Sequence, residues 1–156
     1  MRRIIVTSLI ALLCAAGAAG AQTSASPSAA ETVAARKAAF NLSAVAFSTM
    51  NAAAASPTPE PRQLSFSAQA LARWAHALPG LFPAGTSATD MPGETTASPA
   101  IWANRADFEA KAAAYAAAAD KLGELTEDTE AFKAQLAVVS DTCKSCHQPY
   151  RVRSGH

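Results

Sequence analysis

The chain has 156 residues and 50% of them are hydrophobic, but alanine alone accounts for 41 residues. Residues 22–156 contain only 28 larger members of the set Val, Ile, Leu, Met, Phe, Trp, Tyr and Cys. That is few for one domain, because a buried methyl group contributes only about 0.8 kcal/mol. Either the fold is marginally stable, or something other than protein fills part of its interior.

The formal charge is +1, and removing the two N-terminal arginines with a leader leaves 11 basic and 12 acidic residues. A polyanion-binding protein is expected to carry a basic excess, so this charge argues against nucleic acid as a partner.

The first 21 residues have the three parts of a secretory signal peptide. Two arginines precede an apolar run at residues 4–16, and Ala-Gly-Ala at residues 19–21 forms a small-x-small cleavage site. The run is too short to span a membrane comfortably. We therefore expect export to the periplasm, loss of Cys14 with the signal peptide at residues 1–21, and a mature domain at residues 22–156 without a membrane span.

The first helix is predicted at residues 31–55, where residues repeat every seven positions along an inward-facing seam. The seam consists of Val33, Phe40 and Phe47 together with Arg36, Ser43 and Met50. Arginine is normally solvated, so an arginine buried on this stripe implies an anionic partner.

The second helix is predicted at residues 64–78, after a segment at residues 56–61 that contains three prolines and cannot continue a helix. Its inward stripe is Leu64, Leu71, Trp74 and Leu78. His76 falls nearly opposite this stripe at about 100° per residue, so we expect it to face solvent. The linker at residues 79–98 is rich in Pro, Gly and Thr, and a loop of about 20 residues inside a compact domain is usually functional or disordered.

The third helix is predicted to start with Ser98 as its N-cap and Pro99 as its first residue, and to end at Gly123. The fourth is predicted to start near Thr126. Its inward stripe is Phe132, Leu136, Val139, Cys143, Cys146 and Tyr150. Four helices joined in sequence predict an all-α, antiparallel up-down-up-down four-helix bundle.

The fourth helix carries the sequence Cys143-Lys144-Ser145-Cys146-His147, and Cys-x-x-Cys-His marks covalent c-type haem attachment. Residues three apart share a helix face, so both thiols can form thioethers with one porphyrin while the adjacent imidazole reaches its iron. A thioredoxin-like redox pair would need a βαβ setting, a zinc site needs four ligands, and a disulfide at this spacing is strained. We predict one haem c attached through Cys143 and Cys146, with His147 as the iron ligand.

The topology predicts which residues face this haem, because the first helix starts at the end of the bundle where the fourth helix ends. We expect Arg36 to pair with a haem propionate and Phe40 to cover the iron face opposite His147. The alternative is that Phe40 only fills the core and Arg36 extends to water. Met50 lies about 15 Å beyond Phe40 and is a poor sixth ligand, and Met91 is a weak alternative. The prediction is a five-coordinate, high-spin iron with an apolar distal pocket.

From about residue 31 to residue 153 the chain resembles the cytochromes c′ of bacterial periplasms, a family of four-helix bundles. The resemblance rests on Arg36 with Phe40, Leu81-Phe82-Pro83-Ala84-Gly85-Thr86-Ser87, Ile101-Trp102, and the haem motif followed by Tyr150-Arg151. It implies a homodimer packed through the first two helices, a five-coordinate haem, and binding of NO or CO with little affinity for oxygen.

The resemblance also assigns residues to the haem. It places Arg36 at a propionate and Arg151 on the proximal side, and it places Lys37, Glu94, Thr95 and Thr96 at the haem edge. Low-spin relatives have a methionine where this chain has Phe40.

Two functions follow from these expectations. One is binding of NO or CO at an open iron; the other is one-electron transfer between periplasmic redox partners, whose identities the sequence does not give. The alternative is that the iron is low-spin and six-coordinate, and that the protein acts only as an electron carrier. We expect no enzyme activity such as that of a peroxidase, because the predicted distal wall has no acid or base.

Overall fold

The computed structural model describes residues 26–153, so the predicted signal peptide and its cleavage site lie outside the described residues. The helices are α1 (Ala29–Ala54), α2 (Pro61–Ala77), α3 (Ala100–Ala103), α4 (Arg105–Glu124) and α5 (Thr129–Tyr150). The long helices α1, α2, α4 and α5 form the predicted antiparallel bundle, and residues 26–153 contain no strand, only an isolated bridge between Ala97 and Arg151. The all-α four-helix fold is thus confirmed.

The long helices begin where their capping residues dictate. Ser28 and Glu31 form a capping box at the start of α1, in which the Glu31 carboxylate accepts the Ser28 N–H at 2.8 Å and the Ser28 hydroxyl accepts the Glu31 N–H at 3.2 Å. Pro61 occupies the first turn of α2, where a missing N–H costs nothing. Asp128 caps α5 by accepting the Ala131 N–H at 3.0 Å.

The third predicted helix is interrupted, which the sequence pattern did not predict. Asn104 leaves the helical conformation, with φ −122° and ψ 48°, and separates the single turn of α3 from α4. Ser98 nevertheless acts near the start of α3, since its hydroxyl accepts the Ala100 N–H at 3.2 Å. After the break, Arg105 points back toward the linker and donates to the carbonyls of Pro79 and Phe82. The interruption thus accompanies hydrogen bonds between the start of α4 and the linker.

Alanines provide much of the contact surface between the helices. Ala68 and Ala75 of α2 and Ala112 and Ala119 of α4 are each at most 2% exposed. Small side chains allow helix axes to approach closely. The largest fully buried side chains are Phe108, Phe132, Met50, Leu64, Leu71, Ile101, Leu122 and Val139. None of the helices between residues 26 and 153 combines the length and the hydrophobicity that a membrane span requires.

Replacing Ala119 with Leu should destabilise the holoprotein by about 1–3 kcal/mol, because three extra carbons must enter a position with no exposed surface. Ala117→Leu, on the exposed face of the same helix, is the matched control and should change the free energy of unfolding by less than about 0.5 kcal/mol. Denaturant unfolding of both variants measures the difference. Equal stabilities would show that α4 does not depend on close approach at Ala119.

Candidate haem site

A cavity of about 630 Å³ lies at the end of the bundle where α1 begins and α5 ends. Its volume is within the range of roughly 300–1,000 Å³ usual for ligand and cofactor sites. All ten residues that the sequence singled out line this one cavity. They are Arg36, Lys37, Phe40, Glu94, Thr95, Thr96, Cys143, Cys146, His147 and Arg151.

One wall of the cavity is the last two turns of α5. Cys143 and Cys146 are half-buried free thiols on its inward face, and burial raises the pKa of both. His147 lies at the exposed rim of the same wall. Partial desolvation and, secondarily, the charge of Arg151 lower the pKa of His147. The neutral imidazole is therefore favoured, and this is the form that binds a metal.

Arg36 enters the cavity from α1 and is only 2% exposed. Its two terminal nitrogens make four hydrogen bonds to the linker: to the carbonyl of Leu81 at 3.2 Å, the hydroxyl of Thr86 at 3.0 Å, the carbonyl of Thr86 at 2.8 Å, and the hydroxyl of Thr95 at 2.9 Å. The guanidinium also lies over the ring of Phe82, 4.5 Å from its centroid. Arg36 thus fixes both ends of the linker segment from Leu81 to Thr95.

The charge of Arg36 is not compensated by the protein, since no carboxylate between residues 26 and 153 lies within ion-pair distance of it. Desolvation lowers its pKa, although a guanidinium remains protonated in proteins. A buried cation of this kind indicates an anion nearby. The sequence-based expectation of an anionic partner for Arg36 therefore has a structural basis, although the bonds that hold its side chain in place go to the linker.

The linker itself is ordered by local turns. The Thr86 hydroxyl donates to the carbonyl of Pro83 at 2.8 Å, which closes a turn that contains Gly85. Gly85 has φ +78°, a left-handed conformation that side chains larger than hydrogen rarely adopt. Thr86 is fully buried as a result, and it presents both its hydroxyl and its carbonyl to Arg36.

The far end of the linker is joined to the end of α5. The carbonyl of Thr96 accepts the Val152 N–H at 2.8 Å, and the Ser98 N–H donates to the Tyr150 carbonyl at 3.0 Å. Arg151, in an extended conformation, forms the bridge with Ala97. These bonds bring Thr96 and Arg151 to the same rim of the cavity as His147.

Lys37 and Glu94 form another part of the rim. The Lys37 ammonium donates to the carbonyl of Glu94 at 3.2 Å, and both side chains are exposed. The contact holds α1 against the linker while leaving the Glu94 carboxylate in solvent.

Phe40 faces the cavity from α1, one turn beyond Arg36. Its ring packs edge-on against Trp74, with centroids 4.9 Å apart, and against Phe82 at 6.3 Å. Met50 is fully buried in the core and does not line the cavity, and Met91 lines a separate, smaller cavity. Among the described residues, no methionine lines the cavity, and its only histidine is His147.

Besides Ala112, three larger residues of α4 that sequence reasoning did not assign to the site also line the cavity: Phe108, Lys111 and Tyr115. Lys111 lies 3.6 Å from the carboxylate of Asp107, whose other oxygen accepts the Tyr150 hydroxyl at 2.5 Å. This bond is the main cause that raises the pKa of Tyr150 to about 12. Their spacing in the sequence could have identified them: Lys111 and Tyr115 follow Phe108 by three and seven residues, so the three side chains lie on one helix face.

The lining matches the chemistry of a haem. Four basic side chains, Arg36, Lys37, Lys111 and Arg151, and one acidic side chain, Glu94, surround a cavity whose inner wall is formed by rings and aliphatic side chains. A planar apolar group with a negatively charged edge suits this distribution. Two thiols and an imidazole on one helix face add the groups that a c-type haem requires.

A sequence model described as Cytochrome C′ matches residues 31–151. The chain belongs to the cytochrome c′ family. It is 33% identical to a cytochrome c′ of Cereibacter sphaeroides over 164 aligned residues, which cover 98% of this chain and 99% of that one. It is also 38% identical to a cytochrome c′ of Rhodopseudomonas palustris and 39% identical to a cytochrome c-556 of Agrobacterium tumefaciens, each over about half of this chain, 49% and 51%. These two matches span 50% and 62% of the relatives' lengths.

Solved cytochrome c′ structures share the fold. The cytochrome c′ from Rhodobacter spheriodes superposes with a TM-score of 0.74 at 32% identity and covers 82% of this chain and 100% of its own. A cytochrome c′ described as having ligand-controlled dimer dissociation gives a TM-score of 0.77 at 25% identity, with 83% and 100% covered. The nitric oxide complex of a variant from Alcaligenes xylosoxidans gives 0.72 at 25% identity, with 83% and 99% covered.

The role of Arg36 in this cytochrome c′ can be tested by Arg36→Met, which keeps an unbranched apolar stem but removes the guanidinium and leaves the buried Thr86 carbonyl without its donor. We expect the free energy of unfolding to fall by at least about 2 kcal/mol, and residues 82–95 to exchange amide hydrogens faster. Lys37→Met, which removes an exposed cation making one bond, is the control and should change stability by less than about 0.5 kcal/mol. If the amide hydrogens of the linker exchange at the same rate in the Arg36 variant as in the wild type, Arg36 does not hold the linker in place.

Proposed function

We propose that this cytochrome c′ is an exported, periplasmic protein that holds one haem c and binds NO or CO at the face of the iron opposite His147. When bound, the haem supplies an iron centre that can accept a gaseous ligand or exchange an electron. The observation that carries the proposal is the wall formed by Phe40: it faces the cavity from the helix opposite α5, and its side chain cannot ligate a metal.

Different residues of the chain attach the haem, ligate its iron and contact its edge. Cys143 and Cys146 present thiols on one face of α5 for thioether formation, and the neutral imidazole of His147 supplies the iron ligand. Arg36 supplies the buried positive charge for a propionate. Lys37, Glu94, Thr95 and Thr96 form the rim along the linker, and Arg151 forms the rim beside His147.

The aromatic residues behind Phe40 support an open, high-spin iron. Trp74 and Phe82 pack against Phe40 edge-on, so the ring is held in place on that wall. A low-spin, six-coordinate carrier would need a methionine or histidine on this wall. Small diatomic molecules can enter a site of this kind without displacing a protein ligand.

One-electron transfer is a second candidate function for the same site. His147 and Arg151 are exposed at the cavity rim, so the edge of a bound haem would lie close to the surface where a redox partner can approach. The partner is unidentified, and measured electron exchange with a periplasmic oxidoreductase would test this role.

A peroxidase function is not part of the proposal. His76, which could supply an acid or base, lies on the outer surface with its side chain 61% exposed, and it contacts Asp120 of α4 at 2.9 Å. General acid-base assistance for cleavage of an O–O bond would have to come from elsewhere.

Export and a homodimer complete the proposal. The basic and apolar pattern of residues 1–21 supports export. Leu42 and Val45 of α1 and Phe66 of α2 are 70%, 60% and 77% exposed, which supports a dimer packed through these two helices. Sedimentation of the holoprotein tests the dimer; a monomer at micromolar concentration would contradict it.

The open iron face is tested by Phe40→Met. The wild-type holoprotein should have a high-spin optical spectrum that shifts on addition of CO or NO. The variant should move toward a low-spin, thioether-ligated spectrum, because a methionine at this position can reach the iron.

Phe47→Met is the matched control. It also places a methionine on the cavity side of α1, but about 10 Å further along the helix, so its spectrum should stay high-spin. A wild-type ferrous spectrum that is low-spin and unaffected by CO would refute the open site. An unchanged spectrum in the Phe40 variant would show that Phe40 does not face the iron.

A further inference from the structure

Trp74 of α2 lies behind Phe40, outside the haem cavity. The two rings meet edge-on, with their centroids 4.9 Å apart and their planes at 79°. Phe40 lines the cavity, whereas Trp74 does not. Trp74 can therefore act on the cavity only through another side chain, and Phe40 is a lining residue in aromatic contact with it.

Phe40 must give way if a ligand is to bind at the iron face that it covers. Its backbone is poorly placed to move, because Phe40 lies inside α1, one turn after Arg36, which four hydrogen bonds fix to the linker. Rotation of the ring about its side-chain bonds is the motion that remains. A ring that withdraws from the cavity meets its two aromatic neighbours, Trp74 and Phe82.

Of these two neighbours, Phe82 is held from several sides. It is 7% exposed, and its ring packs against Phe108 at 5.0 Å and Trp102 at 6.4 Å between centroids. The guanidinium of Arg36 covers the same ring at 4.5 Å, and the carbonyl of Phe82 accepts a hydrogen bond from Arg105. A displacement of Phe82 would disturb all of these contacts together.

Trp74 is held less firmly. The residue is half-buried, and its indole N–H, although buried, has no hydrogen-bond partner among residues 26–153. A buried tryptophan N–H usually finds such a partner. Packing alone therefore holds the indole, and no hydrogen bond has to break when it shifts. Trp74 is the neighbour against which Phe40 can move.

We propose that Trp74 is a positioning residue of the gas-binding site: it limits how far Phe40 withdraws from the iron and so sets the rate at which a diatomic ligand enters. The inference rests on the proposed function. It assigns control of ligand entry to α2 as well as to α1. Because Trp74 lies outside the cavity, it acts on entry of the ligand and makes no contact with the bound ligand itself.

The test measures association of CO with the ferrous holoprotein after flash photolysis. Trp74→Leu removes the ring behind Phe40, so association should be about five-fold faster, the equivalent of one edge-on aromatic pair of about 1 kcal/mol. Trp74→Phe keeps a ring at this position and should stay close to the wild-type rate. Ethyl isocyanide, which is bulkier than CO, should gain more than CO from Trp74→Leu, because it requires a larger withdrawal of Phe40.

Trp102→Leu is the matched control. Trp102 is also half-buried and also has a buried indole N–H without a hydrogen-bond partner among residues 26–153. Its ring packs against Phe82 and not against Phe40. The rates of CO and isocyanide association in this variant should equal those of the wild type.

A double-mutant cycle shows whether Trp74 acts through Phe40. In a Phe40→Ala background the ring that Trp74 restrains is missing, so adding Trp74→Leu should leave the rate of CO association unchanged. A merely structural effect of Trp74 would accelerate association in both backgrounds. If Trp74→Leu does not retain haem, Trp74→Met, which fills more of the same space, takes its place in the cycle.

The outcomes separate the two proposals. A wild type that binds CO, with association unchanged in the Trp74 variants or accelerated equally with and without Phe40, overturns the role of Trp74 and leaves the open iron site intact. A wild type that binds neither CO nor NO overturns the gas-binding function and the role of Trp74 together.

Discussion

The feature on which the rest of this cytochrome c′ depends is the unequal filling of its helical bundle. At the end away from His147, large side chains such as Met50, Leu64 and Phe132 are fully buried and close the core. At the other end, α1 and α5 stand on either side of a cavity of about 630 Å³. The alanines that let α2 and α4 pack closely add little apolar area, so the protein alone does not fill this end. The small number of large apolar residues therefore explains why this end of the bundle contains a cavity that a cofactor could fill.

The buried charge of Arg36 connects the cavity to the chain around it. A guanidinium with no carboxylate partner costs free energy in a protein interior unless its donors are satisfied. The linker satisfies them through Leu81, Thr86 and Thr95, and in doing so it becomes an ordered wall. The remaining positive charge favours an anionic group in the cavity. One residue therefore shapes the linker and leaves a buried positive charge at the cavity.

Much of this could be predicted from the sequence, because the helices follow local rules. Seven-residue spacing placed Val33, Arg36 and Met50 on a buried face, and the stripe that ends at Tyr150 put both cysteines of the haem motif on the inward side. The interruption at Asn104 could not be predicted in this way. It accompanies contacts of Arg105 with Pro79 and Phe82, which are more than 20 residues away in sequence.

The same limit applies to the site. The sequence identified ten residues that line the cavity, but it could not show that the terminal nitrogens of Arg36 bond to the linker, because that depends on the path of the linker. Nor could it distinguish Tyr115 from Tyr150. Both lie on predicted inward faces, and only the three-dimensional arrangement shows that the Tyr150 hydroxyl bonds to Asp107 while the Tyr115 hydroxyl has no acceptor between residues 26 and 153.

We expect a bound haem to complete the core of the bundle, and unfolding the apoprotein and the holoprotein under the same conditions measures this contribution. The apoprotein should retain helical far-ultraviolet circular dichroism but lose near-ultraviolet signal, bind an apolar dye and melt without a cooperative transition, whereas the holoprotein should melt cooperatively. An apoprotein with native-like near-ultraviolet dichroism and a sharp calorimetric transition would show that the alanine-rich helices pack adequately alone and that haem is not needed to complete the core.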